Sequence, residues 1–396
     1  MSTNNSELIA QIEEQFVERF GTSPEHIARA PGRVNLLGEH VDYNDGFVMP
    51  AAIDLATYVA FSPSLGVASH LVALDFSEEI AIDNGSITTK TQSDHSSLPE
   101  WGLYPAGVMH ILLQKGFPVR SINAVFASDL PRGSGLSSSA SVEMAFLTTW
   151  QYLDSWPMPL MERALLCQIA ETEYVGVNCG IMDQFASACG VENRLLYLDC
   201  RSLEWDAIAL PENVSIVIAD TTVRRKLTSG SYNVRRAECE TAVRLLKNAI
   251  PAINSLRDVS VLDFARYSQL LPFSVEKRAR HVIDEIQRPQ EARGYLEHGD
   301  SVSFGKCMDA SHVSLRDLYE VSCTELDTMV EIAQSLDGCL GARMTGAGFG
   351  GCTVNLVETE KTDLFVNQLM KKYHLATGIT SSIYQTKASD GAGILR

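Results

Sequence analysis

Basic residues are scarce in this sequence of 396 amino acids. It holds 32 lysines and arginines against 49 aspartates and glutamates, which gives a net charge of −17 at pH 7. Such an excess of negative charge argues against a broad surface for nucleic acids or anionic membranes. A polyanionic substrate would therefore need a local anion-binding group, such as one or two arginines, a helix N-terminus or a metal ion.

Long apolar runs and paired cysteine motifs are also missing. The longest stretch without a charged residue, 55–74, is interrupted by Ser, Pro, Gly and His, and it predicts two strands and a turn instead of a membrane span. The N-terminal stretch is polar and acidic, unlike a secretory signal. The nine cysteines include no C-x-x-C pair and lie inside apolar patterns. These features predict reduced thiols and a cytoplasmic protein, without a disulfide framework or a zinc site.

The length predicts two domains, because single hydrophobic cores rarely grow beyond about 250–300 residues. Apolar periodicity predicts an α+β fold with mixed β-sheets flanked by helices, divided into an N-terminal lobe at 1–208 and a C-terminal lobe at 209–396. The expected helices lie at 6–20, 103–115, 139–153, 160–175, 231–248, 275–287, 303–319, 323–336 and 362–373, with a short helix starting near 183. Strands are expected in several runs between 27 and 83, and at 122–128, 194–198, 214–220, 340–345, 351–357 and 380–385.

The segment APGRVNLLGEHVDYNDGFVMP at 30–50 places a polar cluster directly after an apolar strand. Glu39, His40 and Asp42 lie in this cluster, and Arg33 lies one strand-length upstream. Several donors and acceptors within a small volume suit a polyhydroxylated ligand, since each sugar hydroxyl needs a partner once it leaves water. The alternative is an acidic surface loop rich in turns.

The segment GSGLSSSAS at 133–141 lies between a strand and a long apolar helix. Glycines let the backbone approach phosphate oxygens, and free N–H groups at the helix start attract negative charge. The segment lacks the lysine of the G-x-x-x-x-G-K-[ST] loop, and it is not the G-x-S-x-G elbow of serine hydrolases. Its place before a helix favours phosphate binding over a simple linker.

Two carboxylates flank a tight turn in ETEYVGVNCGIMDQ at 171–184. Glu171 falls late in one expected helix, and Asp183 falls at the start of the next. Phosphoryl transfer needs one carboxylate to anchor magnesium and another near the attacking hydroxyl, and this pair offers both. An aspartate at a helix start is, alternatively, only a cap.

The segment GARMTGAGFGG at 341–351 contains G-x-G-x-x-G at Gly346, Gly348 and Gly351, which formally matches a dinucleotide or kinase fingerprint. An apolar strand follows it instead of a helix, and no kinase catalytic-loop motif comes after it. The pattern favours a glycine-rich hairpin that packs close to a ligand or to another loop, with a simple tight hairpin as the alternative.

Taken together, the four segments resemble the GHMP kinase superfamily and, within it, the galactokinase family. The first resembles the family's sugar signature G-R-V-N-[LI]-[IL]-G-E-H-x-D-Y-N-x-G, with Val41 where threonine is common. GLSSSAS resembles the superfamily's phosphate-binding motif, and GARMTGAGFGG resembles its third motif. NCGIMDQ and SYNVRR are similar to family sequence too. The motifs occur in family order across residues 27–355, and they imply a two-lobed GHMP kinase-like architecture with the active site in the cleft between the lobes.

The resemblance implies a kinase that transfers phosphate from ATP to the anomeric hydroxyl of galactose, the first step of galactose breakdown by the Leloir pathway. Asp183 matches the catalytic acid/base, and Arg33 matches the partner that keeps its carboxylate ionised. Ser139 and Glu171 match the positions that hold Mg²⁺. The residues that match sugar contacts are Glu39, His40, Val41, Asp42, Gly180, Asp183 and Tyr232. Those that match the ATP phosphate loop are Gly133, Ser134, Gly135, Leu136, Ser137, Ser138 and Ser139.

Two other functions stay open at the level of the sequence. A galactokinase-like sensor would bind sugar and ATP and act through a partner protein, whereas a kinase for N-acetylgalactosamine or a pentose would keep the chemistry and change the sugar. Ser139, Ala140, Asp183 and Arg33 are all present, which argues against a sensor because such paralogues can have an altered Ser-Ala in the phosphate loop. The resemblance implies galactose and Mg-ATP as ligands, and no nucleic acid, membrane or obligate protein partner.

Overall fold

The computed structural model of this protein describes residues 3–224 and 228–396. Its strands are β1 (His26–Asn35), β2 (Phe47–Val48), β3 (Pro50–Pro63), β4 (Ser69–Ala73), β5 (Glu78–Ile82), β6 (Ile122–Ser128), β7 (Arg194–Asp199), β8 (Trp205–Ala209), β9 (Val214–Asp220), β10 (Cys339–Met344), β11 (Cys352–Glu358), β12 (Ser382–Thr386) and β13 (Gly393–Ile394). Its helices are α1 (Thr3–Phe20), α2 (Leu103–Gln114), α3 (Ser138–Asp154), α4 (Leu160–Ile169), α5 (Met182–Cys189), α6 (Thr228–Leu246), α7 (Val261–Tyr267), α8 (Phe273–Glu297), α9 (Ser301–Ser314), α10 (Thr324–Gln334) and α11 (Thr362–Thr377).

The first sheet has six strands in the order β13-β1-β3-β6-β4-β5. Its pairs are antiparallel except for the parallel pair of β4 and β6. Helix α1 covers one face, where Ile12 and Phe16 are buried against Tyr58. Helices α2 to α5 cover the other face and contain the larger apolar core, which includes Trp150 and Phe185. A sheet that carries helices on both faces must bury both sides of its strands, and the continuous apolar runs of β3 and β6 fit that position.

Strand β1 is irregular at the point that matters for the site. The pairing register of β1 with β3 shifts between Pro31 and Arg33. A side chain on Gly32 would overlap Leu130, so a neighbouring loop packs directly on the backbone there. Bulges of this kind re-aim the side chains that follow them. The bulge therefore sets the direction in which Arg33 leaves the sheet.

Two smaller antiparallel sheets complete the structure, with the orders β10-β11-β9-β12 and β2-β7-β8. Strands β10 and β11 form a hairpin whose turn, residues 345–351, is called the glycine hairpin below. Helix α9 packs on β10, and α8 packs on α6, α9 and the short strand β2. Through these contacts, residues 273–314 support the segment 36–46 that follows β1.

The expected α+β class with mixed sheets is confirmed, and most predicted elements lie within a few residues of those observed. Two expected helices differ, because α4 ends at Ile169 and α9 ends at Ser314. Each continues into a π-helical turn, Ala170–Val175 and Leu315–Tyr319. Strand β8 and helix α7 were not predicted. The lobe boundary at 208/209 stays a prediction.

Helix α8 extends beyond the predicted range 275–287 to Glu297, with Pro289 inside it. The C-terminal strand β13 pairs with β1 of the first sheet. Among the described residues, every helix falls short of the length and apolar character that crossing a bilayer requires. The nine cysteines are unpaired thiols.

Candidate active site

A cavity of about 300 Å³ opens where the segment after β1 meets the start of α5. Its wall carries several carboxylates, one arginine and aromatic side chains, so it is called the acidic cavity below. The residues that line it are Arg33, Glu39, His40, Asp42, Tyr43, Glu171, Gly176, Val177, Cys179, Gly180, Met182, Asp183, Tyr232, Asn233, Gly346 and Ala347. This volume is at the lower end of the range for small-molecule sites.

Arg33 and Asp183 form an ion pair in this wall. Arg33 Nη2 lies 2.6 Å from Asp183 Oδ1, and Nε donates to the same oxygen at 2.8 Å. The hydroxyl of Ser137 donates to the other oxygen, Oδ2, at 2.6 Å. Arg33 Nη1 donates to the carbonyl of Gly135 at 2.6 Å, which fixes the guanidinium from behind. The carboxylate of Asp183 is 28% exposed, so one face of it stays open to the cavity.

Glu39 lies deeper and is paired with an arginine from the fourth sequence segment. Arg343, on β10, is completely buried, and its Nη2 lies 2.6 Å from Glu39 Oε2. The N–H of Gly346 donates to the same oxygen at 3.1 Å. Burial raises the pKa of Glu39 above its usual value, and the nearby charges of Arg343 and Arg33 oppose this rise only in part. This buried pair joins the segment after β1 to the strand that begins the glycine hairpin.

The turn at Gly38 and Glu39 rests on a second buried carboxylate. Glu285, on α8, accepts hydrogen bonds at Oε1 from the N–H groups of Gly38 (3.0 Å) and Glu39 (3.3 Å) and from the hydroxyl of Ser311 (2.7 Å). Arg288 Nε donates to its other oxygen at 2.8 Å. Burial raises the pKa of Glu285, but Arg288, His281, Arg343 and the hydrogen bond from Ser311 together outweigh burial, so the pKa is lowered. The backbone that carries Glu39 is therefore held from below by an ionised group.

Asp42 and Gly180 meet on the opposite wall. A side-chain carbon on Gly180 would overlap the carboxylate of Asp42, so only glycine permits this approach. Burial, followed by the negative charges of Asp183 and Glu39, raises the pKa of Asp42 to about 7. A group that donates hydrogen bonds, or a cation, would relieve this repulsion.

Three aromatic rings lie together in the cavity wall next to Asp42. The ring of Tyr232, from α6, lies 5.6 Å from that of His40 and 5.4 Å from that of Tyr43. Burial lowers the pKa of His40 to about 3, so its imidazole is neutral at physiological pH. His40 has a positive φ of 61°, a conformation that non-glycine residues rarely adopt.

The loop at 133–139, called the serine loop below, borders the acidic cavity. Ser137 has left-handed backbone geometry and α3 begins at Ser138, so the serines surround a helix N-terminus. The glycine hairpin packs against this loop. A side-chain carbon on Gly346 would lie 2.7 Å from the carbonyl oxygen of Gly135, and the N–H of Cys352 donates to Ser134 O at 3.1 Å. The hairpin thus packs close to another loop, as one interpretation of its sequence predicts.

Family models match three stretches of the chain. They are the galactokinase galactose-binding signature at 14–63, the GHMP kinases N terminal domain at 104–191 and the GHMP kinases C terminal at 292–374. The galactokinase of Roseiflexus sp. (strain RS-1) is 45% identical over 383 residues, covering 97% of this chain and 96% of that protein. The chain belongs to the galactokinase family. The galactokinase of Chloroflexus aggregans (strain MD-66 / DSM 9485) is also 45% identical, over 98% of this chain and 97% of its own.

Solved structures agree with this membership of the galactokinase family. A Lactococcus lactis galactokinase complexed with galactose superposes with a TM-score of 0.92 at 34% identity, covering 97% of this chain and 99% of that chain. A mevalonate kinase, at 19% identity and a TM-score of 0.62, shares the fold over 92% of this chain and 99% of its own. The GHMP kinase architecture expected from the sequence is thereby confirmed.

The carboxylate of Glu171 and the hydroxyl of Ser139 fit the magnesium site expected for a galactokinase. Burial and the charge of Asp183 raise the pKa of Glu171 to about 7, and a hydrogen bond from Ser139 lowers it in part. The amide of Gln184 donates to Glu171 Oε2 at 2.5 Å and orients it. In the described part of the chain, no three His, Cys, Asp or Glu side chains group as metal ligands. One carboxylate and one hydroxyl suit Mg²⁺, which usually binds few protein oxygens together with substrate phosphates.

A second cavity of about 270 Å³, the aromatic cavity below, begins at the other side of the serine loop. The rings of Phe76 and Trp101 are stacked in its wall, with centroids 6.1 Å apart and planes 18° apart. The guanidinium carbon of Arg132 lies 4.9 Å from the centre of the Phe76 ring. The residues that line it are Asp75, Phe76, Glu100, Trp101, Tyr104, Phe126, Ser128, Leu130, Arg132, Ser138, Ser139 and Val142.

The structure thus brings most of the expected galactokinase site residues together, with one correction. Val41 does not line the acidic cavity; its side chain is fully buried and faces Gly46 and Ile286. It supports the cavity wall from behind, because an apolar side chain at this position packs into the core. The side chain of Leu136 is likewise buried, and its backbone carbonyl accepts a hydrogen bond from the N–H of Arg33.

Several residues of this galactokinase site were missed from the sequence. Arg343 lies in the segment 341–351, where only the glycines were used for the prediction. A charged residue next to an apolar strand was a signal that could have identified it. Glu285, Phe76 and Trp101 come from distant parts of the chain. No local pattern marks these three as neighbours of the site.

Proposed function

We propose that this protein transfers the γ-phosphoryl group of ATP to the anomeric hydroxyl of galactose, giving galactose 1-phosphate and ADP. One observation carries the proposal. An arginine-paired aspartate, Asp183, lies between a cavity rich in hydrogen-bonding groups and a serine-lined helix N-terminus. A sugar needs many hydrogen-bond partners and a triphosphate needs converging donors, and this arrangement offers both on opposite sides of one carboxylate.

Asp183 is the group that accepts the proton in this proposal. As the anomeric oxygen attacks the γ-phosphorus, a new P–O bond forms, the bond from the γ-phosphorus to the bridging oxygen of ADP breaks, and the hydroxyl proton moves to a carboxylate oxygen of Asp183. Arg33 contacts Oδ1 through both Nε and Nη2, and Ser137 donates one hydrogen bond to Oδ2; these contacts hold the carboxylate in place and leave Oδ2 able to take the proton. Arg33 also places a positive charge directly beside the carboxylate that takes the proton.

The sugar is expected against Glu39, His40, Asp42 and Tyr232, with Gly180 leaving room beside Asp42. Glu39 and Asp42 provide acceptors at defined positions because Arg343 and the backbone near Gly180 fix them. A ring with a hydroxyl in the wrong orientation would leave one of these buried carboxylates without a partner, which costs about 1–3 kcal/mol. This gives the site a physical basis for discriminating galactose from glucose.

ATP is expected to lie along the serine loop, with its base in the aromatic cavity. The N–H groups at the start of α3 and the hydroxyls of Ser138 and Ser139 face the space that its phosphates would occupy. The stacked rings of Phe76 and Trp101 offer a flat apolar surface for a purine. Ser139 and Glu171 would hold Mg²⁺, which when bound neutralises charge on the phosphates. These reactants place the proposed reaction in the cytoplasm.

The test is an ADP-release assay across a sugar panel. Galactose is expected to give the highest kcat/KM, glucose a value lower by at least tenfold, and sugar-free reactions only background. A maximum at N-acetylgalactosamine or at a pentose would replace galactose by that sugar. No turnover with any sugar, together with retained binding of galactose and ATP by calorimetry, would favour the sensor function and reject the proposal.

A further inference from the structure

A chain of buried hydrogen bonds runs from the acidic cavity into the C-terminal helices. His40 Nδ1 lies 2.9 Å from the hydroxyl of Tyr43, and this hydroxyl lies 2.8 Å from that of Tyr319. The thiol of Cys239 lies 3.3 Å from the Tyr319 hydroxyl and ends the chain on α6. His40, Tyr319 and Cys239 are each at most 3% exposed. The four residues are called the His40 chain below.

His40 and Tyr43 line the acidic cavity, whereas Tyr319 and Cys239 lie behind its wall. Nε2 of His40 is buried and makes no hydrogen bond of normal geometry to any residue that the structure describes. A neutral imidazole has one N–H donor and one acceptor nitrogen, and the partner of one nitrogen decides the character of the other. If the Tyr43 hydroxyl donates to Nδ1, Nε2 carries the proton and donates. If the hydroxyl accepts from Nδ1, Nε2 is the acceptor.

The surroundings favour a proton on Nε2. The backbone of Ala347, in the cavity wall, raises the pKa of His40 against the effect of burial, although it makes no hydrogen bond of normal geometry with Nε2. With the proton there, Nδ1 accepts from the Tyr43 hydroxyl, Tyr43 accepts from the Tyr319 hydroxyl, and Tyr319 accepts from the Cys239 thiol. Every donor in the His40 chain then has one acceptor, and Nε2–H is left to donate to a ligand.

Tyr319 is the most firmly held member of the His40 chain. It ends the π-helical turn Leu315–Tyr319, and π turns occur frequently at functional sites. Carbonyl groups released by this turn accept hydrogen bonds from two arginines: Arg278 Nη1 donates to Leu318 O at 2.5 Å, and Arg235 Nε donates to Tyr319 O at 2.6 Å. The ring of His281 packs on that of Tyr319 at 4.5 Å. The hydroxyl thus has a fixed position from which to orient Tyr43.

We propose that Tyr319 is a positioning residue that acts through Tyr43 to fix the tautomer and orientation of His40, so that Nε2–H donates to a single hydroxyl of the bound sugar. The proposal rests on the proposed function, because it assigns His40 to the sugar. It adds a specificity determinant outside the cavity: Tyr319 does not line the cavity wall, and it lies on a π turn of the C-terminal half.

The variant Tyr319→Phe removes one hydroxyl and keeps the ring. KM for galactose is expected to rise about three- to tenfold, the value of one neutral hydrogen bond, whereas kcat and KM for ATP change less than twofold. Repeating the assay with monodeoxygalactoses tests whether the effect passes through His40. The rise in KM caused by Tyr319→Phe should vanish for the one analogue that lacks the hydroxyl contacted by His40. An equal penalty on every analogue, or on ATP as well, would reject the proposal in favour of a general structural defect.

The free protein provides a second readout that needs no catalysis. With ¹⁵N-labelled histidine, NMR of the wild type should show His40 as the neutral tautomer protonated at Nε2, and Tyr319→Phe should shift the Nδ1 resonance. A wild type protonated at Nδ1 would overturn the donor assignment. If the wild type shows the expected tautomer but phosphorylates no galactose, the proposed function fails while the tautomer assignment stands. The control is Tyr373→Phe, because the buried Tyr373 hydroxyl has no hydrogen-bond partner among the described residues; it should leave both readouts unchanged.

Discussion

The acidic cavity and the aromatic cavity meet at the serine loop, yet their walls are built differently. Around the acidic cavity, short ionic hydrogen bonds join Arg33 on β1 to Asp183 on α5 and Arg343 on β10 to Glu39, and Glu285 on α8 holds the backbone of the turn that carries Glu39. In the aromatic cavity, the wall includes the stacked rings of Phe76 and Trp101 and the guanidinium of Arg132. The comparison teaches that ionic hydrogen bonds are concentrated in the cavity proposed for the sugar, whereas stacked rings distinguish the cavity proposed for the purine.

The largest effect is expected at Asp183, which lines the acidic cavity and also bonds to Ser137 of the serine loop. Asp183→Asn keeps the shape of the side chain and removes its ability to accept a proton. We expect kcat to fall roughly 10²- to 10⁴-fold, as for loss of a general base, while galactose still binds by calorimetry. Turnover within tenfold of the wild type would remove Asp183 from the role of base.

The ionic construction of the acidic cavity is tested by Arg343→Met. The change leaves the buried carboxylate of Glu39 without its cation, and breaking a buried pair costs about 3–5 kcal/mol in the free energy of unfolding. Urea unfolding measures this loss. The matched control is Arg293→Met, because Arg293 pairs with Glu297 at 2.8 Å on the surface, where about 1 kcal/mol or less is expected. Equal losses in the free energy of unfolding for the two variants would show that the buried pair stabilises the fold no more than the surface pair does.

The aromatic cavity predicts a smaller effect that is confined to the nucleotide. Phe76 is 40% exposed, so Phe76→Ala removes a stacking surface with little loss of core. KM for ATP should rise about tenfold, in the range known for base–aromatic stacking, and KM for galactose should stay within twofold. Phe273→Ala serves as the control, since Phe273 is 78% exposed and lines neither cavity. A rise in KM for galactose alone would show that the aromatic cavity does not bind the base of ATP.

The smallest expected effect concerns the like charges of the acidic cavity. Because the pKa of Asp42 is raised from 3.8 to about 7, the folded protein holds a proton that the unfolded chain releases between these values. The free energy of unfolding of the ligand-free protein therefore decreases as pH rises from about 4 to about 7. Asp42→Asn should be more stable than the wild type at pH 8 by at least about 1 kcal/mol, with a smaller difference at pH 5.

Urea unfolding at the two pH values, without Mg²⁺, measures this difference for Asp42. Asp45→Asn is the control in the same segment, because the Asp45 carboxylate is 43% exposed and pairs with Arg201. A stability difference for Asp42→Asn that does not change with pH would contradict the raised pKa. In that case the carboxylates of the acidic cavity would not repel one another appreciably in the free protein.

Sequence reasoning was most successful where local signals and family motifs coincide. Strand β6 was predicted at 122–128 and found at Ile122–Ser128, because an apolar run between turns marks a buried strand. The pattern at 160–175 has no feature that distinguishes α4 from the π turn after it, since the change is one of hydrogen-bond register. Helix α8 was predicted to end at 287, but tertiary contacts carry it past Pro289, against the usual effect of proline.

The site was predictable to the extent that its residues occur in recognisable segments. Asp183, Arg33, Glu39 and the serine loop were named from the sequence, and the structure brings them together; their roles remain proposals. Tyr319 and Glu285 could not be found in this way, because their partners lie more than 240 positions away. The burial of the Val41 side chain could not be predicted either, because its position within a motif does not reveal which way the side chain points.

The pairing of β13 with β1 has a consequence for synthesis of the chain. The contact between Arg29 and Asp390 spans 361 positions, so the edge partner of β1 is translated long after β1 itself. At the usual 5–20 residues per second, the ribosome takes about 20–70 s to cover that distance. During this time the nascent strand that bears Arg33 has an open edge, which is a template for aggregation. This edge of β1 is therefore covered only when the C-terminal residues emerge.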